Sequence, residues 1–149
     1  MQVKDLMTKK VISVNAETRI SDIANLLMKN RIHGVPVVDS DNRVAGIITE
    51  TDFFTKDSTS LYLPSFIDFL KRSEFLKIIS SSMKSEIDKL LQATANDIMT
   101  SDCITISSEA DIKDVLKIMK EKSINSIPVV SQNHILVGII TMADIIKLF

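Results

Sequence analysis

Two short stretches of this chain carry a hydroxyl and a carboxylate at the same spacing. Thr49 and Asp52 stand three residues apart, and so do Thr141 and Asp144. Each pair follows an apolar run that contains a glycine and precedes a predicted helix, so it should lie where a buried strand ends. A threonine hydroxyl and free amides at a helix start can bond a phosphate, and a carboxylate one turn further can accept both hydroxyls of a ribose. These residue types therefore suit a nucleotide.

The same spacing also has a purely structural explanation. Thr-x-x-Asp is typical of a helix N-terminus, where the threonine bonds the backbone amide of the third helical residue. Such a cap stabilises a helix by about 1 kcal/mol and needs no ligand. Each threonine taken singly favours the cap, whereas the recurrence of Thr, Asp and a glycine-containing strand in two places favours the ligand. Both interpretations stay open.

The two stretches belong to a duplication that spans most of the chain. Residues 5–8, Asp-Leu-Met-Thr, return as Asp-Ile-Met-Thr at an offset of 92 positions, and Val-Pro-Val-Val at 35–38 returns as Ile-Pro-Val-Val. Gly46 and Gly138 are equivalent in a chain with only three glycines. One duplication of this length indicates a supersecondary unit present twice. Two such units usually pack about a pseudo-twofold axis, which would bring both copies of a motif near a shared cleft.

Each unit has the pattern β-α-β-β-α. In the first copy, residues 11–14 favour a strand, and apolar residues from 20 to 27 recur at helical spacing behind a predicted cap at Thr18. Two apolar runs, 35–38 and 44–48, are separated by turn formers, which predicts a hairpin before the next helix. The predicted fold class is therefore α/β (α+β). Each repeat is too small to bury its sheet alone, so we expect it to pack against its twin.

Composition disfavours several classes of protein. The chain has 149 residues, of which 45% are hydrophobic and 25% charged, and its net charge of −1 offers no broad basic face for nucleic acid. No apolar run has the length of a signal peptide core or a membrane span, so we expect a soluble, cytoplasmic protein without a membrane partner. Cys103 is the single cysteine. It stands in a stretch that favours a buried strand, and we give it no redox role.

About forty residues separate the repeats, which is more than a connector needs. Six of the seven aromatic residues fall in this insert or just before it, and its apolar residues recur at helical spacing, which predicts two helices. The insert either completes the core of the molecule or provides a dimer contact or docking face. The predicted domains are the first repeat at 1–57, the insert at 58–92 and the second repeat at 93–149.

The order of these motifs is similar to that of the tandem cystathionine-β-synthase (CBS) domain pair, also called a Bateman module. Asp-x-Met-Thr, Val/Ile-Pro-Val-Val and Gly-Ile-Ile-Thr-x-x-Asp occur in this order twice. The resemblance implies a regulatory module that binds an adenosine-containing ligand in clefts between the repeats, namely AMP, ADP, ATP, S-adenosylmethionine or cyclic di-AMP. It also implies a homodimer, because such modules commonly pair into flat disks, and no cofactor that acts as a catalyst.

The resemblance assigns roles to particular residues. Asp52 and Asp144 match the aspartates that hold ribose, and Thr49 and Thr141 match the hydroxyl residues that approach phosphate. Adenine would lie against the first strand and the start of the hairpin. These positions are Ser13, Val14, Ala16, Ile32, Val35 and Pro36 in the first copy and Thr105, Ile106, Ser108, Ile127 and Pro128 in the second. Their apolar members would be core residues if no ligand binds.

The position three before the repeated proline differs between the copies. It is His33 in the first and Asn125 in the second, where the resemblance implies an arginine or histidine that meets phosphate. His33 is thus the one expected cation, since Arg31 and Lys122 can equally point into water. Because each phosphate charge needs a charge-assisted bond, we expect AMP or another weakly charged adenosine compound to fit better than a triphosphate. Cyclic di-AMP would use both halves.

Three functions compete. The first is a stand-alone sensor that binds an adenosine compound and relays binding to an unidentified partner protein. The second is a ligand-free dimeric scaffold that uses the aromatic insert. The third is an enzyme, which the sequence disfavours because it offers two histidines, one cysteine and no phosphate-binding glycine motif or metal-ligand spacing. We therefore predict no catalytic residue and no metal site.

Overall fold

The computed structural model describes residues 1–53 and 92–149. In the first repeat the elements are α1 (Val3–Leu6), α2 (Ile20–Asn30), β1 (Gly34–Val38), β2 (Val44–Thr49) and a 3₁₀ turn (Glu50–Phe53). In the second they are α3 (Ala95–Ile98), β3 (Ile106–Ser107), α4 (Ile112–Lys122), β4 (Ser126–Val130), a 3₁₀ turn (Gln132–His134), β5 (Leu136–Thr141) and α5 (Met142–Ile146). The predicted insert, apart from residue 92, lies outside the described residues, and so do the two helices and the dimer contact predicted for it.

Both predicted hairpins are confirmed. β1 and β2 pair antiparallel with Gly34 opposite Thr49, and β4 and β5 pair antiparallel with Ser126 opposite Thr141. Each hairpin has an irregularity in its register at the equivalent place, just before its first strand ends. The mixed helix and strand content agrees with the predicted α+β class.

The strand expected before each α-helix is shorter than predicted. In the first copy only Val14 pairs, parallel to Val37 of β1, and in the second β3 has two residues, which pair parallel to β4. Cys103 precedes β3 and is half-buried, so its predicted place in a buried strand is wrong. These segments join the sheet late, because Thr8 and Thr100, just upstream, pair with the opposite repeat.

The predicted cap at Thr18 is also wrong. The residue before α2 is Arg19, whose side chain makes no capping bond, and the Thr18 hydroxyl instead lies 3.2 Å from the backbone nitrogen of Asn15. The equivalent helix α4 is capped by Asp111, which accepts a bond from the backbone nitrogen of Lys113. The two helices keep the same length because their apolar faces, rather than their caps, fix them against the sheet.

Each repeat completes its core with a segment from the other repeat. The core of the second repeat includes Val3, with Leu6 and Met7 packed against it, and the core of the first includes Ala95, with Ile98 and Met99 in the equivalent places. α1 and α3 are thus exchanged between the repeats. Pulling the repeats apart would expose both cores, so the two repeats form one structural unit.

Reciprocal backbone pairs reveal a pseudo-twofold axis. Thr8 pairs with Ile139 of β5, and the equivalent Thr100 pairs with Ile47 of β2. Each pair has two N–H···O bonds, of 2.9–3.1 Å. Arg43 and Ile135 are themselves equivalent positions and form a bridge with each other, which places them beside the axis. The sheet edges therefore meet where the predicted shared clefts should lie.

The repeated glycines are explained by this crossing. A Cβ atom on Gly46 would lie 2.7 Å from the backbone oxygen of Thr100, and one on Gly138 would lie 2.5 Å from the sulfur of Met7. Neither glycine has a positive φ, so the requirement is space for the crossing segment rather than an unusual backbone conformation.

In the described part of the chain, every helix falls short of the length and apolarity that a bilayer crossing requires.

Candidate functional site

Two clefts lie between the repeats, and each is lined by residues of both. The Asp52 cleft joins residues within 47–52 of the first repeat to residues within 100–104 and 122–126 of the second. The Asp144 cleft joins residues within 139–147 of the second repeat to residues within 8–12 and 31–34 of the first. The linings correspond largely position by position under the 92-residue offset. Each Thr-x-x-Asp motif thus faces the loops of the opposite repeat.

The volumes of the clefts suit small molecules. The Asp52 cleft encloses about 460 Å³ and the Asp144 cleft about 660 Å³, within the range of about 300–1,000 Å³ typical of ligand sites. Isoleucines contribute apolar wall to both, with Ile104 and Ile124 in the first cleft and Ile12 and Ile32 in the second. Each cleft therefore combines an apolar wall with a carboxylate, which is the composition that orients a flat ligand with polar edges.

In the Asp52 cleft, one carboxylate oxygen is held by the motif threonine. Asp52 Oδ2 accepts a bond from the Thr49 backbone nitrogen at 2.7 Å and a longer one from the Thr49 hydroxyl at 3.3 Å. Burial raises the pKa of the Asp52 carboxyl above its usual value, and the Thr49 bonds only partly oppose this shift. Among the described residues, none bonds the other oxygen, Oδ1, which leaves it for a ligand hydroxyl.

In the Asp144 cleft the carboxylate is more buried and better satisfied. Asp144 is 5% exposed, and its Oδ2 accepts bonds from the Thr141 backbone nitrogen at 2.9 Å and the Thr141 hydroxyl at 2.8 Å. Lys147 Nζ lies 3.0 Å from Oδ1. Burial raises the pKa of Asp144, but the bonds from Lys147 and Thr141 together outweigh it and hold the pKa below its usual value.

The predicted cap forms at Thr141, whereas the bonds of Thr49 differ from it. In the first copy the shortest bond runs from the threonine backbone nitrogen to the aspartate, at 2.7 Å, whereas in the second the hydroxyl bond is the shorter one, at 2.8 Å against 2.9 Å. Of these two threonines, only Thr141 also accepts from the backbone nitrogen of its aspartate, at 3.4 Å. A hydroxyl that donates its one hydrogen to a carboxylate cannot donate it to a phosphate at the same time. The helical segments that follow Thr49 and Thr141 are also short, with four and five residues. The carboxylates and cleft walls therefore define the sites, rather than helix amides.

A third Thr-x-x-Asp shows what the motif does without a cleft. Thr94 donates to Asp97 from its backbone nitrogen at 2.7 Å and from its hydroxyl at 3.1 Å. Both residues lie outside the two clefts, and Asp97 is exposed. The hydrogen bonds of the motif alone therefore do not identify a ligand site. The position of Asp52 and Asp144 in clefts is what distinguishes them.

Seven of the sequence-predicted site residues line a cleft: Thr49, Asp52, Thr141, Asp144, His33, Ile32 and Asn125. The remaining predicted residues line neither: Ser13, Val14, Ala16, Val35, Pro36, Thr105, Ile106, Ser108, Ile127 and Pro128. Val35 and Ile127 are fully buried in the cores of their repeats. The cleft-facing part of each first segment instead lies a few residues earlier, at 10–12 and 102–104.

Four residues line both clefts and form a shared wall, which comprises His33, Glu50, Asn125 and Ser126. His33 Nδ1 lies 2.8 Å from Glu50 Oε1. The side chains of this pair are 78% and 61% exposed, so their interaction contributes little to folding stability. His33 is accordingly available to a ligand from either side.

The expectation that His33 is the one cation near the sites is wrong. Lys10, Arg31 and Lys147 line the Asp144 cleft, and Lys122 lines the Asp52 cleft. Lys147 could have been predicted from the sequence, because it lies one helical turn after Asp144. Lys10 lies two residues after the duplicated Asp-x-Met-Thr motif, but only the crossing of the repeats brings it to a cleft.

Cys103 and Asp102 were also missed by the sequence reasoning. Both line the Asp52 cleft. Burial raises the pKa of the Cys103 thiol, which keeps the thiol protonated at neutral pH. Cys103 therefore presents a small, uncharged wall to any ligand in this cleft.

The chain is similar to known proteins over its whole length. The uncharacterized protein MJ1426 of Methanocaldococcus jannaschii is 31% identical over 160 residues, which cover 99% of this chain and 90% of that protein. The CBS domain-containing protein CBSX1, chloroplastic, of Arabidopsis thaliana is 30% identical over 152 residues, which cover 97% of this chain and 62% of that protein.

A solved structure has the same architecture. It is the CBS domain pair of protein MJ0100 in complex with 5′-methylthioadenosine and S-adenosyl-L-methionine, with a TM-score of 0.71 and 26% identity, and the match covers 100% of this chain and 95% of that one. The family model described as CBS domain matches residues 3–58 and again residues 95–149. The chain therefore belongs to the CBS-domain family and is a tandem CBS domain pair.

Proposed function

We propose that this chain is a regulatory module that binds an adenosine-containing ligand in its clefts and relays the binding to a partner protein. The observation that carries the proposal is the composition of the clefts, each of which joins the Thr-x-x-Asp carboxylate of one repeat to the loops of the other. A ligand in either cleft would contact both repeats. It would therefore favour one arrangement of the repeats over others, which is the thermodynamic requirement for a switch.

The chemistry of the clefts supports an adenosine compound. Asp52 keeps one oxygen for ribose hydroxyls, and Asp144 offers Oδ1 when Lys147 moves to a ligand. The isoleucine walls suit the flat face of adenine, and the threonines can approach a phosphate once their hydroxyls turn from the carboxylates. The CBS pair of MJ0100, at 26% identity, was solved with two adenosine compounds. AMP, ADP, ATP, S-adenosylmethionine and cyclic di-AMP remain the candidates.

We infer that the module is not an enzyme. In residues 1–53 and 92–149, no group of three or more His, Cys, Asp or Glu side chains could hold a metal ion. His33 faces the carboxylate of Glu50, and His134 lies exposed in the second hairpin turn.

We also propose that the module acts as a homodimer in the cytoplasm. Analytical ultracentrifugation and cell fractionation test these two points.

A thermal-shift screen of AMP, ADP, ATP, S-adenosylmethionine, NAD and cyclic di-AMP tests the proposal. A ligand at a hundred times its Kd stabilises the folded state by about 2.7 kcal/mol, which raises Tm by roughly 5–11 °C for a chain of this size. We expect the shift to shrink in Asp52→Ala or Asp144→Ala and to persist in Asp97→Ala, whose aspartate makes the same bonds outside the clefts. No shift with any compound at millimolar concentration would contradict the proposal and favour the scaffold.

A further inference from the structure

We propose that the two clefts bind adenosine compounds of different charge. The Asp144 cleft takes a compound with a 5′-phosphate, such as AMP, and the Asp52 cleft takes a compound without phosphate, either neutral or cationic, such as 5′-methylthioadenosine or S-adenosylmethionine. This inference rests on the proposed function and deepens it. It makes the module a sensor of two ligand classes rather than of one ligand bound twice.

The inference begins with the charges that line each cleft. The Asp144 cleft has three basic side chains, Lys10, Arg31 and Lys147, against the carboxylates of Asp144 and Glu50. The Asp52 cleft has one basic side chain, Lys122, against the carboxylates of Asp52, Glu50 and Asp102. With histidine neutral, the first lining is positive by one charge and the second is negative by two. The motif aspartate and Glu50 occur in both linings, so the other residues create the difference.

The sharpest difference lies at one pair of equivalent positions. Lys10 and Asp102 are related by the 92-residue offset, each two residues after a threonine that pairs with the opposite sheet. Each lines a cleft from the same side, and the two carry opposite charges. The backbone therefore presents a cation to one ligand and an anion to the other. Arg31 is likewise replaced by the neutral Ser123.

The cations of the Asp144 cleft are free to reach a phosphate. Lys10 and Arg31 are exposed, and the Lys147 side chain is 74% exposed although its Nζ contacts Asp144. Arginine and lysine can offset the two negative charges of a 5′-phosphate with charge-assisted bonds. In the Asp52 cleft the same phosphate would meet Asp102 and Glu50, which would repel it. A sulfonium group would instead be attracted there.

The difference in cleft volume supports the same assignment of ligands to clefts. The Asp144 cleft is larger than the Asp52 cleft by about 200 Å³, at about 660 Å³ against about 460 Å³. The extra volume leaves room for a phosphate and the ordered water that usually accompanies it. The smaller cleft suits the methylthio group of 5′-methylthioadenosine, which is more compact than the 5′ substituent of S-adenosylmethionine and would pack against the protonated thiol of Cys103.

Calorimetry on single-cleft variants tests the assignment in buffer with EDTA and without Mg²⁺. Asp52→Ala leaves the Asp144 cleft intact, and Asp144→Ala leaves the Asp52 cleft intact. We expect AMP to bind Asp52→Ala at least tenfold more tightly than Asp144→Ala, which corresponds to about 1.4 kcal/mol. We expect 5′-methylthioadenosine to bind Asp144→Ala at least as tightly as Asp52→Ala.

Charge swaps at the equivalent positions keep the test independent of the aspartates. Lys10→Asp should weaken AMP binding about tenfold, because the lost attraction and the added repulsion, each about as strong as a surface ion pair, add together. The affinity for 5′-methylthioadenosine should stay within about twofold. Asp102→Lys should create or strengthen a second AMP site. Lys117→Asp is the matched control, because Lys117 is exposed on α4 and lines neither cleft. Raising the ionic strength should weaken AMP binding more than 5′-methylthioadenosine binding.

Two different failures can be told apart. Equal affinity of AMP for the two single-cleft variants, or equal effects of Lys10→Asp and Lys117→Asp, would overturn the charge assignment and leave the proposed function standing. No binding of any adenosine compound to the full chain would overturn the proposed function and the charge assignment together. AMP binding that persists in both Lys10→Asp and Asp144→Ala would show that AMP occupies the Asp52 cleft, which would contradict the assignment.

Discussion

The two motif aspartates occupy equivalent positions but should respond in opposite ways when their charge is removed. Asp144→Asn keeps an oxygen that can accept from Thr141, but its amide nitrogen must then face the ammonium of Lys147, where Oδ1 now accepts a bond of 3.0 Å. Its two threonine bonds also lose the assistance of the negative charge. Asp52→Asn loses such assistance as well, but it also relieves the burial of a charge.

The magnitude follows from these contacts. A hydrogen bond to a charged group contributes about 1.5–3 kcal/mol and a neutral one about 1 kcal/mol, and an exposed lysine adds about 0–1 kcal/mol. We therefore expect Asp144→Asn to lower the free energy of unfolding at pH 7 by about 1–2 kcal/mol, or Tm by about 2–8 °C. For Asp52, burial outweighs the Thr49 bonds and raises its pKa. Asp52→Asn should therefore leave stability at pH 7 unchanged or slightly raised.

The pH dependence has opposite signs. The folded pKa of Asp144 lies below its usual value, so its charge stabilises the protein above about pH 4 and this contribution is lost as the pH falls through the folded pKa. The folded pKa of Asp52 is raised, so its contribution is present below about pH 4 and is lost as the pH rises through the folded pKa. The loss of stability caused by Asp144→Asn should therefore become smaller in acid. The stability of Asp52→Asn relative to the wild type should be highest at neutral pH.

Urea denaturation followed by circular dichroism, at pH 7 and at about pH 3.5, measures these differences. Asp97→Asn provides the control, because its aspartate makes the same threonine bonds at an exposed site. Equal destabilisation by Asp144→Asn and Asp52→Asn at pH 7, or the same pH slope for both, would refute the assignment of opposite pKa shifts to the two clefts.

Three further perturbations separate other parts of the account. Gly46→Ala should cost about 1–3 kcal/mol in urea denaturation, because its Cβ would lie 2.7 Å from a backbone oxygen, and Gly138→Ala should cost less, because it meets mainly a flexible methionine at 2.5 Å; equal losses would contradict the crossing geometry. Cys103 should react slowly with iodoacetamide at pH 7, and more slowly still with ligand in the Asp52 cleft, so mass spectrometry that shows no protection would remove Cys103 from that cleft. His33→Ala should alter calorimetric affinity in both single-cleft variants, and an effect in one alone would count against the shared wall.

Local features of the fold were predictable because short-range patterns determine them. The hairpins follow from apolar runs that flank turn formers, and the helices from apolar residues at helical spacing. The first strands were overestimated, because residues 11–12 and 103–104 have strand-forming side chains but turn toward the clefts after Thr8 and Thr100 pair with the opposite sheet. No local pattern encodes that crossing.

The site was predictable to the extent that it depends on duplicated motifs. Asp52, Asp144 and their threonines were found from spacing, and they do line clefts. Which repeat supplies the opposite wall depends on the exchange of α1 and α3, which is a tertiary feature. For that reason the wall was assigned to residues such as Val35 and Ile127, which are core, while Lys10 and Asp102 were missed.

The central claim is that each cleft binds an adenosine compound between the two repeats. A crystal structure grown with AMP and 5′-methylthioadenosine together tests it most directly. We predict a ribose within hydrogen-bond distance of Asp52 or Asp144, with the base against the isoleucines of the opposite repeat, and the phosphate beside Lys10 and Arg31. Ligand density that contacts only one repeat, or that lies outside both clefts, would contradict the account.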